Sequence, residues 1–228
     1  MNIPYRALSL VALRVGVGCL LAASCGSTAQ PALITRPAGN IVDSAVQVVA
    51  NGCKSVEVHG AGLMVAEGRI ATVAHVVAGA QQIEVRGTHG TADATVVFFD
   101  PILDVAVLKV DPALAPPIAI GTAARGEHGN VVVYRDDTPV ELAVAIQRLV
   151  DIRTADIYGE GTHIRPGYEL DLDIRPGDSG AVVVVDDKAV ALVWATSREA
   201  QARAWAMRAS LLADHLSSDA AVPNGECT

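Results

Sequence analysis

The sequence predicts an all-β protein made of two β halves, and three observations support this prediction. Short apolar or alternating runs recur from Val56 to Trp194, and glycines or paired aspartates separate them, as in β-sandwiches and β-barrels. Of the 228 residues, 51% are hydrophobic and only 4% aromatic, so small branched side chains have to fill the core. The central segment Asp111–Pro117 holds three prolines, which the interior of a sheet does not accommodate.

Composition and charge exclude several classes of protein. A hydrophobic fraction this high, with 18% charged residues, excludes a disordered chain. The only long apolar stretch lies at the N-terminus, which excludes a multi-span membrane protein. The net charge of −8 argues against a nucleic-acid binder, because such a protein has to neutralise phosphates.

The first 24 residues have the features of a secretory signal peptide. Arg6 and Arg14 supply positive charge, and the apolar run 15–23 is too short to span a membrane. Leu21-Ala22-Ala23-Ser24-Cys25 resembles a bacterial lipoprotein cleavage box, which predicts acylation of Cys25. The alternative is an ordinary exported signal that is cut near the same place. Either way, residues 25–40 form a linker.

Removal of the signal changes both the charge and the cysteine count. The remaining chain has 15 basic and 25 acidic residues, a charge of −10. Cys19 leaves with the signal, and acylation of Cys25 leaves an even number of thiols in an oxidising compartment. Cys53 and Cys227 are then either a disulfide pair or two free thiols.

The strands follow one another from about Ile41, where Ile41-Val42 is expected to begin the first. A proline-rich connector, 112–120, separates a first half at 41–111 from a second half at 121–216, and a tail follows at 217–228. One helix is predicted, at Ala209–Leu216. The predicted strands are Val56–Val58, Ile83–Val85, Val96–Phe99, Val105–Val110, Val131–Tyr134, Val140–Ile146, Leu170–Ile174, Val182–Val185 and Val190–Trp194.

Two motifs in the first half carry candidate chemistry. The run Ala71–Val77 is strand-like and leads into His75, while Asp104 opens the apolar strand Val105–Val110. Taken singly, the histidine is explained as a satisfied structural residue and the aspartate as a turn partner. Their significance depends on a third motif.

That third motif is Pro176-Gly177-Asp178-Ser179-Gly180-Ala181, which leads directly into an apolar strand. Glycines that flank a serine leave the backbone N–H groups of Gly177 and Ser179 unobstructed. An oxyanion hole needs two such donors aimed at developing negative charge. A plain tight turn is the alternative explanation.

Together, the order His75, Asp104, Ser179 resembles that of the chymotrypsin-like serine peptidases. The sequence around His75 and Asp104 is similar to that of serine peptidases of the bacterial high-temperature-requirement type. This resemblance implies two antiparallel six-stranded Greek-key β-barrels with a short C-terminal helix and a site between the barrels. It also implies a serine endopeptidase that acts through an acyl-enzyme, with Ser179 as nucleophile, His75 as base and Asp104 orienting the histidine.

The second half resembles the protease domain of the actinobacterial membrane-anchored acid-resistance periplasmic serine proteases. The matching residues are Asp156-Ile157-Tyr158-Gly159, Arg175–Gly180 and the cysteines at 53 and 227. In that family a disulfide joins the corresponding cysteines. The family's multi-span membrane domain and the peptide-binding domain of the high-temperature-requirement type have no counterpart here, and Ala181 replaces the usual glycine. These departures favour, as the alternative function, a catalytically silent relative that binds peptides or proteins.

The resemblance also suggests where substrate binds. Val193-Trp194-Ala195-Thr196 corresponds to the strand that pairs with an extended peptide. Asp173 aligns with the base of the primary pocket, which predicts cleavage after basic residues, unless Asp171 and Asp173 simply lie on a solvated strand face. Asp178 lies outside the triad, and the processed N-terminus that pairs with the matching acid in digestive relatives is missing here.

The expected ligands and location follow from these residues. We predict a polypeptide substrate, no cofactor and no metal, since the histidines at 59, 89, 128, 163 and 215 lack ligand spacing. The protein is expected in the periplasm or cell envelope, held at the outer face of the cytoplasmic membrane by lipid on Cys25, or else secreted. The sequence does not predict the oligomeric state.

Overall fold

The computed structural model describes residues 40–196 and 202–228. The predicted signal peptide 1–24, the acylation site Cys25 and the linker up to residue 39 lie outside the described residues. None of the described helices is both long and apolar enough to cross a membrane.

The first half consists of seven strands and two helical turns. Ile41-Val42 lies in the first of these turns and not in a strand, because the Asn40 side chain accepts the Val42 N–H and starts a helix there. The elements are α1 Ile41–Ser44, β1 Ala45–Asn51, β2 Val58–Ala66, β3 Arg69–Thr72, α2 Ala74–Val77, β4 Gln82–Gly87, β5 Gly90–Asp93, β6 Thr95–Asp100 and β7 Val105–Lys109.

These strands form one antiparallel sheet in the order β5-β4-β1-β2-β3-β7-β6. Its two edges, β5 and β6, are separated along the chain by Ala94 alone. The sheet must therefore curl until its edges meet at that corner. Six strands were expected in this half and seven are present, since Gly90–Asp93 folds back on β4 as a short extra strand.

The second half is a closed six-stranded barrel in the order β10-β13-β12-β11-β8-β9. The long pairing of β9 with β10 closes it, with a bulge at Glu169 and Leu170. The all-β prediction is confirmed. The predicted helix at 209–216 is a 3₁₀ helix, Ala209–His215. The strands are β8 His128–Arg135, β9 Thr138–Thr154, β10 His163–Asp171, β11 Val182–Val185, β12 Lys188–Thr196 and β13 Arg203–Arg208.

The proline-rich connector runs along the surfaces of both halves. Its Ile118 N–H donates to Met64 O in β2, and Gly121 N–H donates to Ala189 O in β12. One core fills the second barrel. The other fills the first sheet and continues onto residues of the second half such as Val182, Leu192 and Met207. Both cores consist mainly of Val, Ala, Leu and Ile, as the scarcity of aromatic residues predicts.

The C-terminal tail returns to the first half. A disulfide joins Cys227 to Cys53, and the Val222 N–H donates to Val96 O in β6. The Asn224 amide donates to Val77 O and Ala80 O, at the end of α2. The tail therefore packs against the helical turn that contains His75.

Candidate active site

His75 is presented by the short turn α2, directly after β3. The neighbours of His75 in this turn, Ala74, Val76 and Val77, are buried and anchor it in the first core. The imidazole itself remains 29% exposed. Local packing therefore fixes the backbone of His75 and leaves its ring at the surface.

Asp104 is held in a tight turn between β6 and β7. The Asp100 carboxylate accepts the N–H groups of Ile102 and Leu103, each at 2.8 Å, and so shapes this turn. Asp104 has φ +57°, a left-handed conformation that aspartate tolerates better than most residues. Its side chain is 1% exposed.

His75 and Asp104 make two hydrogen bonds with each other. Asp104 Oδ1 accepts the His75 backbone N–H at 2.9 Å, and Oδ2 lies 2.8 Å from Nδ1. With Nδ1–H donating to the carboxylate, Nε2 is the ring nitrogen that is left as a base. The contact between these two predicted residues fixes both the tautomer and the ring orientation.

Ser179 follows a turn formed by Arg175–Asp178. The Asp178 N–H donates to Arg175 O at 3.0 Å, and Gly177 has φ +97°. A positive φ at the third residue, with proline fixed at negative φ before it, defines a type II turn. Within the described part of the chain, the N–H groups of Gly177 and Ser179 have no hydrogen-bond acceptor. Both donors are therefore free to bind a substrate oxygen.

The main chain around Ser179 is attached to the first half at β2. The Ala61 N–H donates to Ser179 O at 2.8 Å. A Cβ atom on Gly60 would lie 3.0 Å from Ser179 O and 2.7 Å from the Val76 side chain. The Ser179 backbone and the side chain of Val76, the neighbour of His75, are thus both packed against Gly60. No hydrogen bond joins Ser179 to His75 among the described residues, and in enzymes without substrate such bonds are often long.

Asp178 is fully buried beneath this turn, and its partner is Arg135 at the end of β8. Arg135 Nη2 lies 2.8 Å from Asp178 Oδ2, and Nη1 contacts Oδ1. The Arg175 N–H also donates to Oδ2, at 2.7 Å. The hydrogen bond to Asp178 raises the pKa of Arg135, although burial opposes this effect. Arg135 was not predicted from the sequence.

Comparison of this chain with known proteins agrees with this geometry. The model of the trypsin-like peptidase domain family matches residues 60–192, which include His75, Asp104 and Ser179. The chain belongs to the trypsin-like peptidases. It is 32% identical over 166 residues to the serine protease Rv3671c of Mycobacterium tuberculosis, which covers 68% of this chain. The chain spans 40% of the length of that curated relative.

Solved structures show the same fold. The active form of the Rv3671c protease of M. tuberculosis has a TM-score of 0.77 at 25% identity, over 87% of this chain and 92% of that chain. An inactive form of the same protease has a TM-score of 0.67 at 26% identity, over 82% and 95%. The HtrA-type protease AlgW with a decapeptide has a TM-score of 0.62 at 19% identity, over 76% and 63%, and shows the fold alone.

In this trypsin-like peptidase, Val193–Thr196 forms the end of β12. Pairing of β11 with β12 stops at Leu192, whereas β13 continues to pair as far as Thr196. Val193 is bonded to Gly180 and Ala181. Ala195 pairs with Trp205 of β13 and, within the described residues, with no strand on its other side, so an extended peptide has room to pair there.

Asp173 lies in a different place from the His75–Asp104 pair. It is exposed and lines an open cavity of about 1090 Å³ together with Asp171, Arg135 and Arg175. Ser179 is absent from the residues that line this cavity. A role of Asp173 in substrate choice stays a prediction. The side chain is exposed, but it lies two residues beyond the end of β10 and therefore not on a strand face, as the alternative supposed.

Ala181, the departure from the family pattern, is fully buried without backbone strain. It is absent from the residues with positive φ, and its N–H donates to Asp178 O. The extra methyl group is therefore accommodated beside Ser179. Among the described residues, no three His, Cys, Asp or Glu side chains cluster in a way that would hold a metal ion.

A recess of about 320 Å³ adjoins the His75–Asp104 pair. It is lined by the segment 154–157, by Trp194 and Ala195, and by Arg165 from β10. Arg165 is 1% exposed and was also missed by sequence reasoning. No strand was predicted over 163–169, and a single sequence does not reveal which partner a buried arginine has.

Proposed function

We propose that this trypsin-like peptidase is an exported serine endopeptidase that hydrolyses peptide bonds of envelope or extracytoplasmic proteins. The observation that carries the proposal is the buried Asp104 carboxylate bonded to both the backbone and Nδ1 of His75. In a general base, a carboxylate bonded to Nδ1–H holds the imidazole in the required tautomer and orientation and stabilises the imidazolium that forms.

The proposed reaction uses each group in turn. Ser179 Oγ attacks the peptide carbonyl while His75 Nε2 takes its proton, and the Gly177 and Ser179 N–H groups bind the oxyanion. The protonated His75 then gives this proton to the leaving amine, which leaves an acyl-enzyme. Water, deprotonated by His75, releases the acid product and regenerates the serine. Asp104 stays ionised and stabilises the imidazolium.

Two further observations support catalysis over the alternative of a silent peptide-binding relative. The type II turn at Gly177 leaves both oxyanion donors without an acceptor among residues 40–196 and 202–228. Ala181, which motivated the alternative, causes no strain.

Covalent labelling tests the proposal. Folded protein is incubated with a fluorophosphonate probe, and a peptide library is digested in parallel. We expect labelling of Ser179, loss of that label in S179A, and internal cleavage of peptides. A folded wild-type protein that takes no label and cleaves no peptide supports the silent relative instead.

Export and anchoring are tested separately. Protein from the native host is analysed by intact mass, and a diacyl or triacyl addition on Cys25 is expected. An unmodified N-terminus near Ser24 to Gly26 supports an ordinary cleaved signal and a secreted enzyme. Retention of residues 1–24 contradicts both forms of export.

A further inference from the structure

Arg165 is a buried cation beside the catalytic aspartate. Its Nη1 lies 3.6 Å from Asp104 Oδ2, and both side chains are 1% exposed. Its Nε donates to Ile102 O at 2.6 Å and its Nη2 to Ala155 O at 3.0 Å. The guanidinium carbon also lies 4.9 Å from the centre of the Trp194 ring.

This arrangement is a poor way to stabilise a fold. Moving a guanidinium out of water costs several kcal/mol, and burial lowers the pKa of Arg165 despite the opposing charges of Asp104, Asp156 and Asp100. Its Nη1 has no hydrogen-bond partner among the described residues. An apolar side chain of similar volume would fill the site at lower cost. An unsatisfied buried donor of this kind calls for another explanation.

Two of the contacts of Arg165 are made with the turn that presents Asp104. Ile102 belongs to the same turn as Asp104, so the bond from Nε holds that turn. Nη1 places a positive charge next to Oδ2, the oxygen that accepts the His75 Nδ1–H. The guanidinium charge therefore lies against the same carboxylate oxygen that His75 contacts. The Trp194 contact connects this group to the strand proposed to pair with substrate.

We propose that Arg165 is a positioning residue, which holds the Asp104 turn and its carboxylate in the geometry that His75 requires. This inference rests on the proposed protease function. Arg165 acts through Asp104 and does not touch the reacting atoms. Its contribution should therefore appear in kcat and depend on the presence of the Asp104 carboxylate.

The test compares R165M and R165K with the control R148M. Arg148 also lies in the second barrel, and its partner Glu169 keeps Arg203 when Arg148 is removed. We expect kcat of R165M to fall about 10²-fold with little change in KM, because small displacements of catalytic groups have effects of this size. R165K should recover part of the loss, and R148M should behave like wild type.

A double-mutant cycle separates positioning from a general structural role. R165M is combined with D104N, and the fluorophosphonate labelling rate is measured on protein shown to be folded by circular dichroism. Positioning predicts that R165M lowers the rate in the Asp104 background and leaves it unchanged in D104N. Equal losses in both backgrounds, or wild-type activity in R165M, overturn the inference. If R165M does not fold, the same cycle is run with the uncharged variant R165Q and the same outcomes apply.

The controls distinguish this inference from the function on which it rests. If the wild type is labelled and R165M is equally active, Arg165 has no positioning role, and the protease proposal still stands. If folded and stable wild-type protein takes no label, both the protease proposal and the role of Arg165 are wrong.

Discussion

Arg135 and Asp178 form a two-point ion pair beneath the turn that carries Ser179. Asp178 is fully buried, and the same carboxylate also accepts the Arg175 N–H. In digestive relatives, a freed N-terminus pairs with the matching acid. In this chain a side chain 43 residues away along the sequence takes that place. The turn that holds Gly177 is therefore stabilised by a side chain from β8 of the same barrel.

Removal of Arg135 should damage both stability and activity. R135M leaves the buried Asp178 carboxylate without its countercharge, which should lower the free energy of unfolding by about 3 kcal/mol. The fluorophosphonate labelling rate should fall with it, because the oxyanion turn loses its support. Urea unfolding and labelling measure the two effects.

Two further variants make this prediction specific. R125M removes an exposed arginine of the same barrel and should change neither quantity. The double variant R135M/D178N removes both charges and should be more stable than R135M alone. The prediction fails if R135M and R125M are indistinguishable.

Gly180 combines a left-handed backbone with close packing, and Gly126 separates the two effects. Both residues have φ +86°, but a Cβ on Gly180 would lie 2.2 Å from Ala61 O, whereas a Cβ on Gly126 would meet nothing within 4 Å. G126A should cost about 1 kcal/mol from backbone strain alone. G180A should cost more and should also abolish labelling of Ser179. Equal unfolding free energies for G180A and G126A would contradict the steric argument.

The catalytic motifs could be predicted from the sequence because each is local. His75, Asp104 and the Gly177–Gly180 turn lie in short segments whose spacing and glycines are visible in one chain. The extra strand Gly90–Asp93 was missed because its residues have low β-propensity, and pairing with β4 forms it nonetheless. Arg203–Arg208 was missed because its apolar run is short and is flanked by charge.

The supporting residues of the site could not be predicted in the same way. Arg135 and Arg165 lie outside the strands predicted from the sequence, and their roles arise only from partners on other elements. Their partners, Asp178 and Asp104, lie far from them along the chain. Tertiary packing, which a single sequence does not display, decides which charges are buried together.

Tyr134 should make stability depend on pH in the alkaline range. Its hydroxyl donates to Ala45 O at 3.0 Å and so joins β8 to the start of β1. Burial raises the pKa of Tyr134 from 10.0 to about 12. Because the folded state favours the neutral phenol, this stabilisation is complete below pH 10 and is lost as the pH rises from 10 through 12.

The variant Y134F tests this dependence. At pH 8 it should be less stable than wild type by about 1 kcal/mol, the value of one hydrogen bond. Above pH 10 the difference should shrink and then reverse, since only the wild type has this phenol to ionise on unfolding. Urea unfolding at pH 8 to 11 measures both proteins. Parallel pH profiles for the two proteins would show that the phenol is not responsible.

Asn224 should control the rigidity of the turn that presents His75. Its Nδ2 donates to Val77 O at 2.7 Å and to Ala80 O at 2.9 Å, and its own carbonyl accepts the Gly79 N–H. These three bonds attach the tail to the main chain at the end of α2 and directly after it. N224D keeps the shape of the side chain but loses the donors, and it places a negative charge against two carbonyl oxygens. We expect faster hydrogen exchange at 74–80 and a kcat/KM about tenfold lower, since a loss near 1.4 kcal/mol corresponds to that factor.

The control N130D introduces the same charge change at an exposed residue of β8 and should leave both measurements unaltered. Equal behaviour of N224D and N130D would mean that the tail does not support His75.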